Sequence, residues 1–252
     1  MIRLSVNLNA VAMLRNRRKV GWPNLTHIAR VVLEAGADGI TVHPRPDERH
    51  IRRADVPELG KLVREGFPKA EFNIEGFPGP EFLDLVEVNR PDQATFVPDD
   101  PDQGTSDHGW DIPRHSPLLR AAIARMKGAG IRVSLFIDAD RRAPGNAADV
   151  GADRVELYTG PYGASFSTPE GGRQLEMLAA TAQGAAAAGL GVNAGHDLTL
   201  DNLGEFIKAV PQTIEVSIGH AITADALTMG FPEAVRRYRG LLGGVSVGSG
   251  SR

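Results

Sequence analysis

Three histidines, His43, His196 and His220, each follow a short β-rich run, and His50 lies in a loop close to the first of them. Histidine gives and takes protons near neutrality because its ordinary pKa lies there, so three on one rim point to acid–base chemistry. Glu75 closes the run Glu71-Phe-Asn-Ile-Glu75. Apolar neighbours there would raise its pKa and suit it to general acid or base work; the alternative is a carboxylate paired with an arginine on the next strand. Glu156 sits within Arg154-Val-Glu-Leu-Tyr158, at a position that points inward. An inward carboxylate is costly unless paired, which leaves a substrate- or cation-stabilising role and a structural salt bridge both open. Gly195-His196-Asp197 and Gly219-His220-Ala221 are short turns of the kind whose backbone N–H groups and following helix N-terminus hold phosphate. The cluster Arg15, Arg17, Arg18, Lys19 is either a source of cations for a second anion or a solvated face.

These residues need a frame that brings them to one end. A phrase recurs along the chain: a helical stretch, a glycine turn and a β-rich run. It is seen in Glu34-Ala-Gly-Ala-Asp-Gly-Ile-Thr-Val-His43, Lys127–Phe136, Val150–Tyr158 and Ala188–Ala194. Glycine stops a helix because it enters the left-handed region without a Cβ penalty. The run after it is expected to be a buried parallel strand. Strands are predicted near residues 2–7, 38–43, 71–75, 93–97, 131–137, 153–158, 190–194 and 214–218. Helical patterns separate them, among them Leu25–Glu34, Val56–Glu65, Pro117–Gly128, Gly172–Ala188 and Ala221–Leu241. Eight strict β-α units predict a (β/α)₈ barrel over residues 1–242; an open flavodoxin-like sheet, the alternative, normally stops at five or six strands. Met13–Asn24 and Pro98–Arg114 are extra segments after the first and fourth strands, and residues 243–252 are expected to be a disordered tail. In such a barrel the strand C-termini carry the site. They supply Asn7, Asn9, His43, Arg45, Glu75, Glu156, His196, Gly219 and His220, with Thr105 in the loop after the fourth strand.

Composition narrows the chemistry. The 252 residues carry 28 Lys plus Arg against 31 Asp plus Glu, a balance that argues against a nucleic-acid or polybasic membrane binder. With no cysteine there are no thiolate metal sites or cysteine nucleophiles, and the first strand ends Asn7-Leu-Asn9 rather than in a His-x-His metal pair. A metal-independent site without a bound cofactor is expected, in a cytoplasmic protein. No lysine stands at a predicted strand end, which disfavours Schiff-base chemistry.

At these residues the chain resembles the pyridoxine 5′-phosphate synthase family. The likeness is carried by Val6-Asn-Leu-Asn-Ala-Val-Ala-Met-Leu-Arg15, Ala35–His43, Phe72-Asn-Ile-Glu75, Arg132–Asp138, Val192-Asn-Ala-Gly-His196 and Ser217-Ile-Gly-His-Ala-Ile222. It implies condensation of 1-deoxy-D-xylulose 5-phosphate with 3-amino-2-oxopropyl phosphate, releasing phosphate and water. It further implies His43 and Glu75 as general base, His196 as proton donor and Glu156 as transition-state stabiliser. The amino-ketone phosphate would meet Asn7, Arg18, Gly219, His220 and Asp197. The deoxyxylulose phosphate would meet Asn9, Ala10, Arg45, His50 and Thr105. A homo-oligomer, an octamer in the family, is implied as well. Asn9-Ala10 stands where the family usually has Asp-His, and Asp197 where it has Gly. Two other readings remain: another phosphate-handling isomerase or lyase barrel, and a barrel that binds a B6 vitamer or sugar phosphate without turnover.

Overall fold

The computed structural model describes residues 1–99 and 106–243. Eight parallel strands follow one another around a closed barrel: β1 Arg3–Asn7, β2 Gly39–Val42, β3 Glu71–Gly76, β4 Gln93–Phe96, β5 Arg132–Ile137, β6 Arg154–Tyr158, β7 Gly191–Gly195 and β8 Thr213–Ile218. The pairing of β1 with β8, from Arg3 opposite Glu215 to Val6 opposite Ile218, closes the ring and excludes the open sheet.

The helices are α1 Asn9–Asn16, α2 Leu25–Glu34, α3 Asp55–Gly66, α4 Pro80–Asn89, α5 Ile112–Gly128, α6 Ala143–Asp149, α7 Gly160–Ala164, α8 Pro169–Ala187, α9 Leu203–Ala209, α10 His220–Met229 and α11 Phe231–Gly243. The helical pattern read across Ala221–Leu241 is two helices. Gly230, at φ +78°, separates them, and Phe231-Pro232 restarts the chain in a new direction. The extra segment after β1 contains α1. α5 begins at Ile112, five residues earlier than the sequence pattern, because the Asp111 side chain accepts from the Arg114 N–H at 3.3 Å and Pro113 suits the first turn. The tail predicted from residue 243 lies outside the described residues apart from Gly243, which ends α11.

Strand alternation divides the interior into two materials. Outward positions such as Leu4, Val6, Ile74, Leu135, Leu157 and Val216 are fully buried against the helices and form the apolar core. Inward positions are polar instead of the branched aliphatics that usually fill such a barrel. At the floor, Glu71 meets Arg132 at 2.5 Å, Arg3 at 3.3 Å and Arg154 at 3.8 Å. Arg154 also lies 3.9 Å from Glu215, which accepts from Asn193 at 3.3 Å. Above this floor, Ser5 bonds Thr41 at 2.7 Å, and Thr95 donates to Asn73 at 3.0 Å. Asn73 in turn donates to Thr41 at 3.3 Å. The interior is therefore held by hydrogen bonds and ion pairs, each group needing its partner because water is excluded.

Glu71 is the shared anion of three guanidinium groups, so its loss leaves buried positive charge uncompensated. Glu71→Gln is expected to lower stability by roughly 3 kcal/mol or more, read as a fall in the urea midpoint at unchanged m-value.

Candidate active site

A cavity of about 410 Å³ opens at the C-terminal ends of the strands. Its floor carries the two carboxylates. Glu75, at the end of β3, and Glu156, in β6, are 7% and 2% exposed. Burial, reinforced by the neighbouring Glu156 and Asp99 charges, pushes Glu75 well above the usual carboxylate range; an Asn7 amide donating at 3.4 Å opposes this only weakly. Burial alone raises Glu156 to about 7. Gly195, on the adjacent β7, makes room for it: a Cβ there would stand 2.5 Å from Glu156 Oε1.

The histidines stand on the walls. His43, just after β2, is buried, and desolvation followed by the His50 and Arg45 charges holds it well below the ordinary imidazole value. His50 lies with its ring centroid 5.7 Å from that of His43, and burial is the main reason its pKa falls to about 4. His196 is likewise lowered by burial. It takes φ +78° and is followed by Asp197 at +54°, two consecutive left-handed residues that turn the chain back toward α9. Thr159 locks this turn, its hydroxyl donating to the Gly195 carbonyl at 2.6 Å and to that of His196.

Two helix N-termini face the same cavity. Asn9 and Ala10 of α1 line one side, and Gly219 and His220 at the start of α10 line the other. Neither N-cap residue, Leu8 or Gly219, caps its helix through a side chain, so beyond the Asn9 N–H, which Asn7 takes, first-turn N–H groups are available to an anion. Asn7 organises both approaches. Its Oδ1 accepts from Asn9 N–H at 2.9 Å, and a Cβ on Gly219 would lie 3.0 Å from Asn7 Cβ. Asn9 Oδ1 in turn accepts from the His43 N–H at 3.0 Å. Arg45 completes the α1 side, its guanidinium 2.5 Å from the carboxylate of Asp99.

The fold thus gathers Asn7, Asn9, Ala10, His43, Arg45, His50, Glu75, Glu156, His196, Asp197, Gly219 and His220 around one space. Arg18 is not brought there: it lies exposed beyond the end of α1, outside the lining. Thr105 falls outside the described residues. Of the neighbouring basic residues, Arg15 has a structural task. It forms a bidentate pair with Asp55 at 2.6 and 2.9 Å and donates to the His50 carbonyl at 3.1 Å, which ties α1 to the loop carrying His50. Sequence reasoning missed Tyr158 and Asp99. Tyr158 lines the cavity, and its place two residues beyond Glu156 on the same strand face was the available signal. Asp99 lies 3.7 Å from His43 and pairs with Arg45; it had no signal beyond membership of an acidic loop. Among the described residues no set of three or more histidines and carboxylates is arranged to hold a metal ion, and no helix is long and apolar enough to cross a membrane.

A family model described as "Pyridoxal phosphate biosynthesis protein PdxJ" matches residues 4–244. Pyridoxine 5′-phosphate synthase from Allorhizobium ampelinum is 57% identical over 240 residues, covering 94% of this chain and 96% of that protein. The Brucella anthropi protein of the same name is 57% identical over 237 residues, covering 94% and 97%. The chain belongs to the PdxJ family, the pyridoxine 5′-phosphate synthases. It is an enzyme of vitamin B6 biosynthesis. Solved structures similar to it share the fold alone. Phosphoribosyl anthranilate isomerase from Thermotoga maritima matches with a TM-score of 0.63 at 15% identity, covering 97% of this chain and 100% of that one. A 3-hexulose-6-phosphate synthase matches with a TM-score of 0.62 at 15% identity, covering 95% and 99%.

The glycine that the resemblance implies at position 197 would have a conformational reason, since the backbone there is left-handed. Asp197 keeps that conformation because short polar side chains tolerate it better than most.

The tight fit of Gly195 against Glu156 generates a test. Gly195→Ala is expected to push the carboxylate aside and lower kcat by about 100-fold with little change in melting temperature. Steady-state kinetics and a thermal melt check both halves.

Proposed function

We propose that this cavity joins 1-deoxy-D-xylulose 5-phosphate to 3-amino-2-oxopropyl phosphate, closing the pyridine ring and releasing inorganic phosphate and water. One observation carries the reading: two helix N-termini, whose N-cap residues Leu8 and Gly219 bring no capping side chain, open on a single cavity whose floor and walls hold four acid–base groups. Two phosphorylated substrates need two anion sites, and a condensation followed by eliminations needs several proton transfers.

The α10 end takes the amino-ketone phosphate through its first-turn N–H groups, with Gly219, His220, Asn7 and Asp197 around it. Gly219 serves because backbone close to Asn7 leaves no space for a side chain. The α1 end takes the deoxyxylulose phosphate, with Asn9, Ala10, Arg45 and His50. Arg18 and Thr105 are assigned to the two phosphates by family likeness only.

His43 and Glu75 act as bases. A buried His43 is neutral at working pH and so able to accept a proton. Glu75, raised by burial, is a stronger base once ionised than an ordinary carboxylate. His196 returns the proton to the leaving group; an imidazole with a lowered pKa, once protonated, gives its proton up readily. Glu156 sits beneath the reacting atoms, where its charge offsets a developing cation. The homo-oligomer implied by the family fits the exposed Met13, Leu14, Val20 and Trp22, which are 44%, 53%, 40% and 66% accessible along α1 and the loop after it.

A coupled assay tests the reaction. Phosphate release is expected to depend strictly on both substrates, with a pyridine chromophore appearing in step; release from one substrate alone would instead indicate a phosphate-eliminating lyase, and conversion of one substrate without release an isomerase. Glu75→Gln keeps size and polarity but removes the base. Its kcat is expected to fall by about 100-fold or more, with KM for both substrates nearly unchanged. The pH profile follows from the sign of the shifts. Both carboxylates act ionised and both are raised, so activity falls as pH drops through values above the ordinary 4.5, about 7 for Glu156. Glu156→Gln removes a like charge from Glu75, so the acid limb of the residual activity should move to lower pH.

A further inference from the structure

Three rings meet at the C-terminal ends of β5, β6 and β7. Phe136 and Tyr158 have centroids 5.4 Å apart, and both lie against the His196 imidazole, at 5.2 and 5.4 Å. The Tyr158 ring stands at 84° to the imidazole, the edge-to-face arrangement that aromatic quadrupoles favour. Strand register makes this contact obligatory, because Tyr158 pairs with Gly195, the residue immediately before His196. Tyr158 is itself held in place. A Cβ on Gly160 would stand 2.4 Å from the Tyr158 hydroxyl, so the start of α7 is packed directly on the ring.

Tyr158 and Thr159 therefore hold His196 from two directions. Thr159 fixes the carbonyls of the left-handed turn, and Tyr158, backed by Phe136, fixes the ring. We infer that Tyr158 is a positioning residue: its ring, with Phe136, clamps the His196 imidazole at the cavity wall in the orientation that proton donation requires. The inference rests on the proposed role of His196. An imidazole on a single χ1–χ2 pair sweeps its reactive nitrogen through several ångströms between rotamers, and displacement of about 1 Å is enough to cost about 100-fold in rate. The backbone turn alone fixes Cβ, not the ring. The ring contacts come from Phe136, which is 1% exposed, and from Tyr158 on the rim. The clamp needs the ring of Tyr158 and not its hydroxyl.

The test is a double-mutant cycle on kcat with both substrates saturating, each variant first checked for an unchanged melting temperature. Tyr158→Phe is expected to keep kcat within about 2-fold. Tyr158→Leu is expected to lower it about 10- to 100-fold, with both KM values little changed. In the His196→Gln background, Tyr158→Leu should have almost no further effect, because the group it positions is gone. Phe136→Leu repeats the cycle from the other ring and covers a Tyr158 variant that folds poorly. Equal losses in the native and His196→Gln backgrounds would overturn the clamp. So would a Tyr158→Phe loss as large as that of Tyr158→Leu, or a loss confined to one KM, which would make Tyr158 a substrate contact. Failure of the underlying reading shows separately, as near-normal turnover in His196→Gln alone.

Discussion

The inside of the barrel is polar from floor to mouth, and the position of every functional group depends on that choice. An ordinary barrel interior packs branched aliphatics into layers and needs nothing from them but volume. Here Glu71, Glu75, Glu156 and Glu215 are all buried within one ring of strands. The floor surrounds its carboxylates with partners: Glu71 with Arg3, Arg132 and Arg154, and Glu215 with Arg154 and Asn193, although burial and the Glu71 charge still raise Glu215 to about 8. At the mouth, among the described residues, no arginine is paired with Glu75 or Glu156, and burial raises both. The sign of the linkage is instructive. A carboxylate raised in the folded state contributes stability that is fully present below its unfolded value and is lost as pH rises through the folded one. For Glu156 and Glu215 that loss runs from about 4.5 up to about 7 and about 8. The ionised carboxylates proposed for catalysis are thus the form that folding disfavours. The ion-paired floor and the apolar outer layer are what hold the ring together against it.

The same economy shapes the rim. Strand ends deliver side chains to fixed points, but a phosphate needs several donors at once, and helix N-termini supply them from backbone that needs no side chain. α1 and α10 bring two such termini to one cavity, and they are held there by polar contacts of the site itself. Asn7 bonds to the start of α1 and abuts Gly219 at the start of α10, while it also donates to Glu75. Arg15 and Asn16, at the far end of α1, bind the carbonyl of His50 at 3.1 and 2.7 Å. The proposed anion sites and acid–base groups are therefore parts of one hydrogen-bonded assembly.

The barrel was legible in the sequence because a helix, a glycine turn and a β-rich run recur at four places, and filling the gaps between them with helical and β-rich patterns gives eight strands in order. The strand-end histidines and Glu75 were legible for the same reason, since a register once known names the residues at its end. The polar interior was not anticipated. Strands expected as uniformly apolar runs are alternating, with Ser5, Thr41, Asn73, Thr95 and Ser134 facing inward. Asp99 was invisible because its meaning comes from Arg45 and His43, which lie more than fifty residues away in the chain. Arg18 shows the opposite limit. The family resemblance implies a phosphate contact for it, and the structure leaves it exposed beyond the end of α1. Charge can be read from sequence; the direction in which a loop carries it cannot.

Positions 9 and 10 show how local geometry decides what a substitution removes. Where the family usually has Asp-His, this chain has Asn9-Ala10. The duty of residue 9 visible in the structure is to accept a hydrogen bond from the His43 backbone through Oδ1. Asparagine offers the same acceptor oxygen as aspartate, so the bond that holds the backbone at the end of β2 is preserved. What asparagine lacks is a negative charge beside the proposed phosphate site, and its loss would ease anion binding at the α1 terminus. Ala10 removes an imidazole from the cavity lining, but it leaves the α1 first-turn N–H groups, Arg45 and His50 beside the same space. The two changes therefore act in opposite directions on one anion site, one relieving repulsion and the other removing a donor. None of the four proton-transfer groups depends on either changed side chain except through that single Asn9–His43 bond, which both versions can make.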